Sequence, residues 1–213
     1  MAKLVLIIVA VSYLLGSIPF GYLLVRSFRG VDVRNTGSGN IGATNVARTG
    51  SKGLAIATLL LDALKGYAAV WIAGILVSQS AHSFDIWTMG ELVVIAMTLA
   101  ALSAIVGHMF PVWLRFRGGK GVAAAAGAFT ALSPRAMLLA LIAFAIVVGV
   151  SRYVSLGSIV AAVLFPIFFY LTAPPERTNM LVAFLTGISS LLIIVRHKDN
   201  IQRLLAGTEN RFR

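Results

Sequence analysis

The feature that most constrains this chain is a set of apolar runs, each long enough to cross a lipid bilayer. A membrane-spanning α-helix needs ~20 apolar residues, and a helix satisfies its own backbone hydrogen bonds inside the hydrocarbon. The clearest runs cover residues 4–25, 54–77, 88–110, 155–172 and 180–195. We therefore predict an all-α, polytopic integral membrane protein that forms a single membrane-embedded domain over residues 1–213.

Composition supports this prediction, because 59% of the residues are hydrophobic and only 12% are charged. A soluble domain of 213 residues could not bury that much apolar surface in one core. The first run follows Lys3, as in a signal peptide, but it continues through Val25 without an A-x-A-like cleavage site. We expect a retained first helix.

Two shorter apolar stretches, 121–132 and 136–150, are separated by Ser133-Pro134-Arg135. Each falls below the ~17 residues of a plain crossing. They either cross short and tilted or form a re-entrant pair. Both alternatives return the chain to the same side and leave seven or five crossings.

The basic residues predict the orientation, because Lys and Arg concentrate in cytoplasmic segments. With the N-terminus outside, the segments 26–53, 111–120, 151–154 and 196–213 lie inside. They hold 14 of the 18 basic residues: Arg26, Arg29, Arg34, Arg48, Lys52, Arg115, Arg117, Lys120, Arg152, Arg196, Lys198, Arg203, Arg211 and Arg213. We expect a cytoplasmic C-terminus, and the net charge of +11 then indicates a membrane surface or an anionic substrate and no nucleic acid.

The first candidate site segment is Gly-rich and follows the first helix. Its glycines let the backbone approach a ligand, its hydroxyl and amide groups can bind polar atoms, and its arginine can bind phosphate in a bidentate manner. The residues are Gly37, Ser38, Gly39, Asn40, Gly42, Thr44, Asn45 and Arg48. The alternative is a solvated loop followed by a helix N-cap.

The second candidate segment, Gly118-Gly119-Lys120-Gly121, opens an Ala-rich helix. Free N–H groups and the positive end of the helix dipole favour an anion there, although the spacing is not that of a P-loop. His108, at the end of the preceding helix, could reach the same surface. The alternative is a basic interfacial turn.

The third candidate segment is the tail, where Arg196, Asn200 and Arg203 would share one face of a helix with His197 beside it. A further cation and hydroxyl at the same depth come from Arg152 and Ser155. The alternative is a basic helix on anionic lipid headgroups, which explains the charges but not the Asn and His.

One ion pair is predicted inside the membrane. Asp62 and Lys65 are spaced i, i+3 in the second helix, and ionisable residues at membrane depth are rare and have an obligatory role. We expect them to neutralise each other and to hold a neighbouring helix.

Several catalytic motifs are missing from the sequence, and their absence reduces the number of reaction types that the protein could catalyse. There is no H-x-x-x-x-D acid/base motif, no G-x-S-x-G nucleophile elbow and no H-E-x-x-H zinc motif. The sequence has no cysteine and no cluster of carboxylates for magnesium. We expect no metal and no cofactor, and a substrate that is anionic and already activated.

The motifs, taken together, resemble those of the PlsY-type acyl-phosphate:glycerol-3-phosphate acyltransferases. They are GSGNIGATN with Arg48, GHMFP followed by FRGGKG, RYVSLGS, and RHKDNIQRL with Gly207 and Glu209. They occur in order over residues 13–209, and LDALKG with Asp62 and Lys65 also resembles the family. Ala124 stands where the family usually has Thr, which affects any hydrogen bond made by that hydroxyl.

The resemblance implies seven helices, an outside N-terminus and a site that faces the cytoplasm of a bacterial inner membrane. It also implies acyl transfer from long-chain acyl phosphate to the sn-1 hydroxyl of glycerol 3-phosphate, which gives lysophosphatidic acid and phosphate. This is the first acylation of phospholipid synthesis. Membrane lipids are the other expected partners, and a monomer is the simplest expectation for an oligomeric state that the sequence leaves open.

The resemblance also suggests a role for each residue. We assign Gly118, Gly119, Lys120 and Gly121 to the phosphate of acyl phosphate. Glycerol 3-phosphate and the reacting groups are assigned to Ser38, Asn40, Thr44, Arg48, Ser155, His197 and Asn200, with Gly37, Gly39 and Asn45 in the same loop and Arg152, Arg196 and Arg203 in support. His108 would donate a hydrogen bond or relay a proton. The general base stays open, because the departing phosphate could itself take the hydroxyl proton.

Two other functions are compatible with a phosphate-binding membrane protein. A transporter would need sites reachable from both sides and usually an inverted repeat, whereas the outer segments 78–87 and 173–179 are short and hold few donors. A covalent acyl-Ser or acyl-His mechanism in the same site would need an activating base, and none is recognisable.

Overall fold

The structure is a computed structural model that describes residues 2–80 and 86–211, and every regular element in these ranges is helical. The α-helices are α1 Ala2–Ser17, α2 Phe20–Arg29, α3 Ala43–Ala47, α4 Lys52–Ser80, α5 Ile86–Met109, α6 Val122–Leu132, α7 Pro134–Ser151, α8 Val154–Thr172, α9 Met180–Val195 and α10 Lys198–Leu205. Short 3₁₀ turns cover Val33–Asn35, Val112–Leu114 and Pro175–Arg177. Met1, residues 81–85 of the predicted outer segment 78–87, Phe212 and Arg213 lie outside the described residues.

Five segments of the described chain are long and apolar enough to cross a membrane. They are Ala2–Arg29, Lys52–Ser80, Thr88–Leu114, Pro134–Ser151 and Val154–Thr172. A sixth is counted if α9 and α10, which are bent by 57° at their junction, form one span. The predicted all-helical membrane architecture is confirmed, while α6, at 11 residues, is a shorter apolar helix.

The first apolar run does not form the single helix that we predicted for residues 4–25. It is two helices, because α1 ends at Ser17 and α2 begins at Phe20. Pro19 lacks an N–H group and disfavours helical dihedral angles at Ile18, which explains the interruption. The Lys65 ammonium group donates to the Ile18 carbonyl oxygen at 2.6 Å, so a buried cation binds backbone at this break.

Small residues allow the central helices to pack at backbone distance. A Cβ at Gly66 would overlap the Ala124 carbonyl, and a Cβ at Gly127 would overlap the Ala63 carbonyl, so α4 and α6 touch at their backbones. Close packing of this kind is the main attraction between helices in lipid. Outward-facing apolar side chains such as Val150 on α7, 84% exposed, suit a lipid surround.

Candidate active site

The three predicted site segments meet around Lys120, which precedes α6. Lys120 Nζ donates to Asn200 Oδ1 on α10. Burial lowers the pKa of Lys120; the charges of Glu209 and Asp199 oppose that effect, and the cations Arg203 and Arg48 reinforce it. Arg48 of the first candidate segment and the charged residues of the tail therefore lie within electrostatic range of the Lys120 ammonium group, which belongs to the second.

The loop Gly118–Gly121 is held on both sides by backbone and arginine. Its first two N–H groups donate to the end of α5, from Gly118 to Met109 O at 3.1 Å and from Gly119 to His108 O at 3.0 Å. The Arg196 guanidinium donates to both glycine carbonyls, each at 3.2 Å. The N–H groups of Gly118 and Gly119 are therefore not free to bind an anion.

The start of α6 still offers backbone donors. The first bond of this helix runs from Ala125 N–H to Gly121 O at 2.8 Å. The N–H groups of residues 122–124 therefore precede the first full turn and have no acceptor within the helix. Gly121 has a φ of +82° and turns the chain from Lys120 into the helix, so Lys120 and these donors lie at the same helix end.

The loop Gly37–Asn45 is organised by one buried side chain. Asn45 Oδ1 accepts from the Ser38 N–H at 2.8 Å, and Asn45 Nδ2 lies within 3.0 Å of the carbonyls of Val33, Thr36 and Asn40. We assigned Asn45 to substrate, but its amide is committed to shaping the loop. The side chains of Ser38, Thr44 and Arg48 are exposed beside it.

The tail does not form the continuous helix that would place Arg196, Asn200 and Arg203 on one face. α9 ends at Val195 and α10 begins at Lys198, with a 57° bend between them. The prediction of one shared face was wrong, yet the bend brings Arg196 onto the Gly118–Gly121 loop and Asn200 onto Lys120. The residues are brought together by the bend instead of by a helical face.

His197 lies at this bend and is 2% exposed. Its Nδ1 is 2.7 Å from the Ile193 carbonyl oxygen. Since a carbonyl only accepts, Nδ1 carries the hydrogen and Nε2 keeps its lone pair. Burial lowers the pKa of His197 to about 4, so the imidazole is neutral at pH 7.

Glu209 joins the cluster around Lys120, and the sequence analysis gave it no role. Its Oε1 accepts from Ser155 Oγ at 2.8 Å and from Asn200 Nδ2 at 2.7 Å, and its Oε2 accepts from Arg203 Nε at 2.6 Å. Burial alone would raise the pKa of Glu209, but these hydrogen bonds outweigh it and the pKa lies below its usual value. Glu209 thus joins α8, α10 and the tail as a carboxylate. The turn at Gly207, with a φ of +69°, was the signal for this return of the chain.

Arg152 and His108 were also predicted as site residues, and their surroundings differ from those of the cluster around Lys120. Arg152 ends α7 in a left-handed conformation, with a φ of +64°, and its side chain is exposed. His108 is 3% exposed and lies behind the Gly118–Gly121 loop, with Nδ1 3.5 Å from Asp62 Oδ1. The predicted ion pair between Asp62 and Lys65 is present, at 2.8 Å.

Comparison with known proteins places these motifs in a family. The model of a family described as glycerol-3-phosphate acyltransferase matches residues 6–207. The glycerol-3-phosphate acyltransferase of Mesorhizobium japonicum is 47% identical over 94% of this chain and 92% of its own length. That of Geobacter sulfurreducens is 46% identical over 98% of this chain and 97% of its own.

Solved structures agree with the sequence matches. The crystal structure of PlsY (YgiH), an integral membrane glycerol 3-phosphate acyltransferase, in its glycerol 3-phosphate form has a TM-score of 0.81 and 39% identity, covering 98% of this chain and 96% of that one. The lysophosphatidic acid form has a TM-score of 0.79 and 38% identity, covering 98% and 95%. This chain is an integral membrane protein that belongs to the glycerol-3-phosphate acyltransferase family.

Proposed function

We propose that this protein transfers a fatty acyl group from acyl phosphate to the sn-1 hydroxyl of glycerol 3-phosphate, giving lysophosphatidic acid and phosphate. The observation that carries the proposal is the meeting of two Gly-rich loops and a polar tail around Lys120. Both substrates carry a phosphate, and two cationic loops at one place suit two anions that would otherwise repel each other. The glycerol 3-phosphate and lysophosphatidic acid forms of the structural relative support the acceptor and the product.

The proposed division of the site follows the two loops. Lys120, Gly121 and the first turn of α6 hold the phosphate of acyl phosphate, and Arg196 keeps Gly118 and Gly119 in place. Glycerol 3-phosphate is bound by Ser38, Asn40, Thr44 and Arg48 of the first loop, with Ser155, His197 and Asn200 opposite, and Gly37, Gly39 and Asn45 shape that loop. The positive charges of Arg152 and Arg203 add to the attraction for the phosphate of glycerol 3-phosphate.

In the proposed reaction the protein acts mainly by orienting the two substrates, and it does not need a strong general base. The glycerol oxygen forms a bond to the acyl carbon, the bond between that carbon and the phosphate oxygen breaks, and the hydroxyl proton passes to the departing phosphate. Even a phosphate monoester dianion, whose conjugate acid has a pKa near ~6, is a stronger base than an imidazole whose pKa is about 4. The departing phosphate gains further negative charge as its bond to the acyl carbon breaks. His197 therefore does not take this proton, and its neutral imidazole helps to hold glycerol 3-phosphate in place. Such positioning can contribute ~7–11 kcal/mol.

For the topology we propose seven crossings, an outside N-terminus and a site at the cytoplasmic face of the bacterial inner membrane. The basic residues of the site support this orientation, since Arg48, Lys120 and Arg196 all belong to the Lys/Arg-rich side. Because the chain has no cysteine, single-cysteine variants give a clean test. In vesicles of known orientation, Arg117→Cys should react with an impermeant thiol reagent from the cytoplasmic side and Arg135→Cys from the outer side. The reverse pattern would contradict the topology.

The activity is tested by changing the acyl donor alone. The purified protein in lipid vesicles receives labelled glycerol 3-phosphate with palmitoyl phosphate, palmitoyl-CoA or palmitoyl-acyl carrier protein. We expect labelled lysophosphatidic acid only with palmitoyl phosphate. Equal product from the thioesters would refute the donor assignment, and product labelled at the sn-2 position would refute the acceptor assignment. A labelled acyl-enzyme trapped with palmitoyl phosphate alone would indicate a covalent mechanism instead.

A further inference from the structure

A buried polar cluster lies behind the Gly118–Gly121 loop, and the chemistry proposed above does not use it. It consists of Asp62, Lys65 and His108, each less than 5% exposed. We propose that Asp62 and His108 are positioning residues, which hold Gly119 and through it Lys120 where the acyl phosphate must bind. This inference rests on the proposed function.

The contacts run in sequence from the ion pair to the loop. Asp62 Oδ1 is 2.8 Å from Lys65 Nζ and 3.5 Å from His108 Nδ1. The other ring nitrogen of His108 lies against Gly119, where an added Cβ would overlap Nε2. The Gly119 N–H donates to the carbonyl of His108 itself at 3.0 Å. Ring and backbone of one residue thus fix the residue that precedes Lys120.

The same cluster also contacts the helix break that leads to the first loop. Lys65 Nζ donates to Ile18 O, at the junction of α1 and α2. Gly21, three residues after Ile18, packs α2 against the loop Gly37–Asn45. A Cβ at Gly21 would overlap the Ile41 carbonyl. One ion pair is therefore connected to both loops, to the second through His108 and to the first through Ile18 and α2.

The position of the ring distinguishes positioning from proton transfer. A proton relay needs a nitrogen that faces the reacting groups. In His108, Nδ1 faces Asp62 and Nε2 faces the α-carbon of Gly119, so the ring is behind the loop. Replacing a buried ion pair by apolar residues is often neutral or stabilising. Stability alone therefore gives no reason for these charges, whereas positioning does.

The first experiment compares His108→Ala with His108→Asn, because Asn places an N–H donor near the position of Nδ1 but cannot relay a proton. We expect His108→Ala to lower kcat/KM for acyl phosphate by ~10²-fold, the scale of a misplacement of about 1 Å. His108→Asn should restore most of this loss. If both variants are equally impaired, or if His108→Ala keeps wild-type kcat/KM, the inference is overturned.

The second experiment removes the cluster without leaving a buried charge, in the double variant Asp62→Leu with Lys65→Met. We expect it to keep or exceed the wild-type melting temperature in detergent and still to lose ~10²-fold in kcat/KM. A variant that melts early but keeps its KM would show a merely structural role. Wild-type protein without acyl-phosphate activity would reject the proposed function, whereas active wild-type protein matched by these variants would reject only this inference.

Discussion

The loops Gly37–Asn45 and Gly118–Gly121 are both Gly-rich and cationic, but they keep their shape in opposite ways. The first is held from within, by the Asn45 side chain and carbonyls at most twelve residues away. The second is held from outside, by the end of α5, by Arg196 and by Asn200, the last two 77 to 80 residues distant. The polar framework of the first loop is therefore local in sequence, whereas that of the second loop depends on contacts in the assembled bundle.

This contrast predicts that changes in the second loop and its supports have the larger effects. The largest should come from Lys120→Ala, which removes the cation that we assign to the phosphate of acyl phosphate. We expect kcat to fall by ~10²–10³-fold, as when a preorganised donor to transition-state charge is lost. Arg117→Ala is the matched control, because it removes an exposed charge three residues earlier and should stay near wild type. Similar rates for both variants would contradict the role of Lys120.

His197, at the bend between α9 and α10, should also make the stability of the protein depend on pH. The pKa of His197 is about 4 in the folded protein, below the ordinary histidine value of 6.5. Between these values the unfolded chain binds more protons, so the free energy of unfolding should fall by about 3 kcal/mol as the pH drops from 6.5 to 4. Melting temperatures of wild type and His197→Gln, measured from pH 4 to 8, should converge over that window. Parallel curves would argue against a buried neutral imidazole.

Equivalent glycine substitutions provide the most direct comparison of the two loops. Gly119→Ala places a Cβ into the buried ring of His108, and overpacking of this kind costs ~1–3 kcal/mol. Gly39→Ala meets its nearest atom, Arg34 O, at 3.4 Å, so its cost is the left-handed backbone at a φ of +68°, about 1–2 kcal/mol. We expect the larger loss of kcat/KM from Gly119→Ala. The opposite order would invalidate the comparison.

A smaller and selective effect is expected from Asn45→Asp. The carboxylate keeps the acceptor for Ser38 N–H but loses the donor to three carbonyls, a loss of about 1–3 kcal/mol in a buried site. KM for glycerol 3-phosphate should rise ~10-fold, with little change for acyl phosphate. Asn35→Asp makes the same chemical change at an exposed position and is the control. An equal rise in both KM values would mean that the loops are not independent.

The smallest effect is expected at the edge of the first loop. Asp32 pairs with Arg34 at 2.6 Å, and 20% and 33% of the two side chains remain exposed. Pairs of this kind contribute at most about 1 kcal/mol. Asp32→Asn should therefore shift the melting temperature only slightly and leave both KM values unchanged, and a large change in either KM would extend the site to this pair.

Much of this architecture could be predicted from the sequence, because long apolar runs and Lys/Arg-rich connections have few other solutions in lipid. The ion pair of Asp62 and Lys65 was also predictable from its helical spacing. The break at Pro19 was missed because the apolar run continues through it, although proline itself was the signal. The functions of Asn45 and Glu209 could not be predicted, since they depend on which carbonyls and side chains surround them after folding.

The shortness of α6 has a consequence for how two unlike substrates meet. Its 11 residues extend ~16 Å, about half of a ~30 Å hydrocarbon layer. In the proposed topology the connections at the two ends of α6 therefore cover the remaining depth, and the Gly118–Gly121 loop meets the lipid-dissolved acyl donor at the cytoplasmic leaflet. The proposed acyl donor can stay in the leaflet, and glycerol 3-phosphate reaches it from the cytoplasm past the arginines of the site.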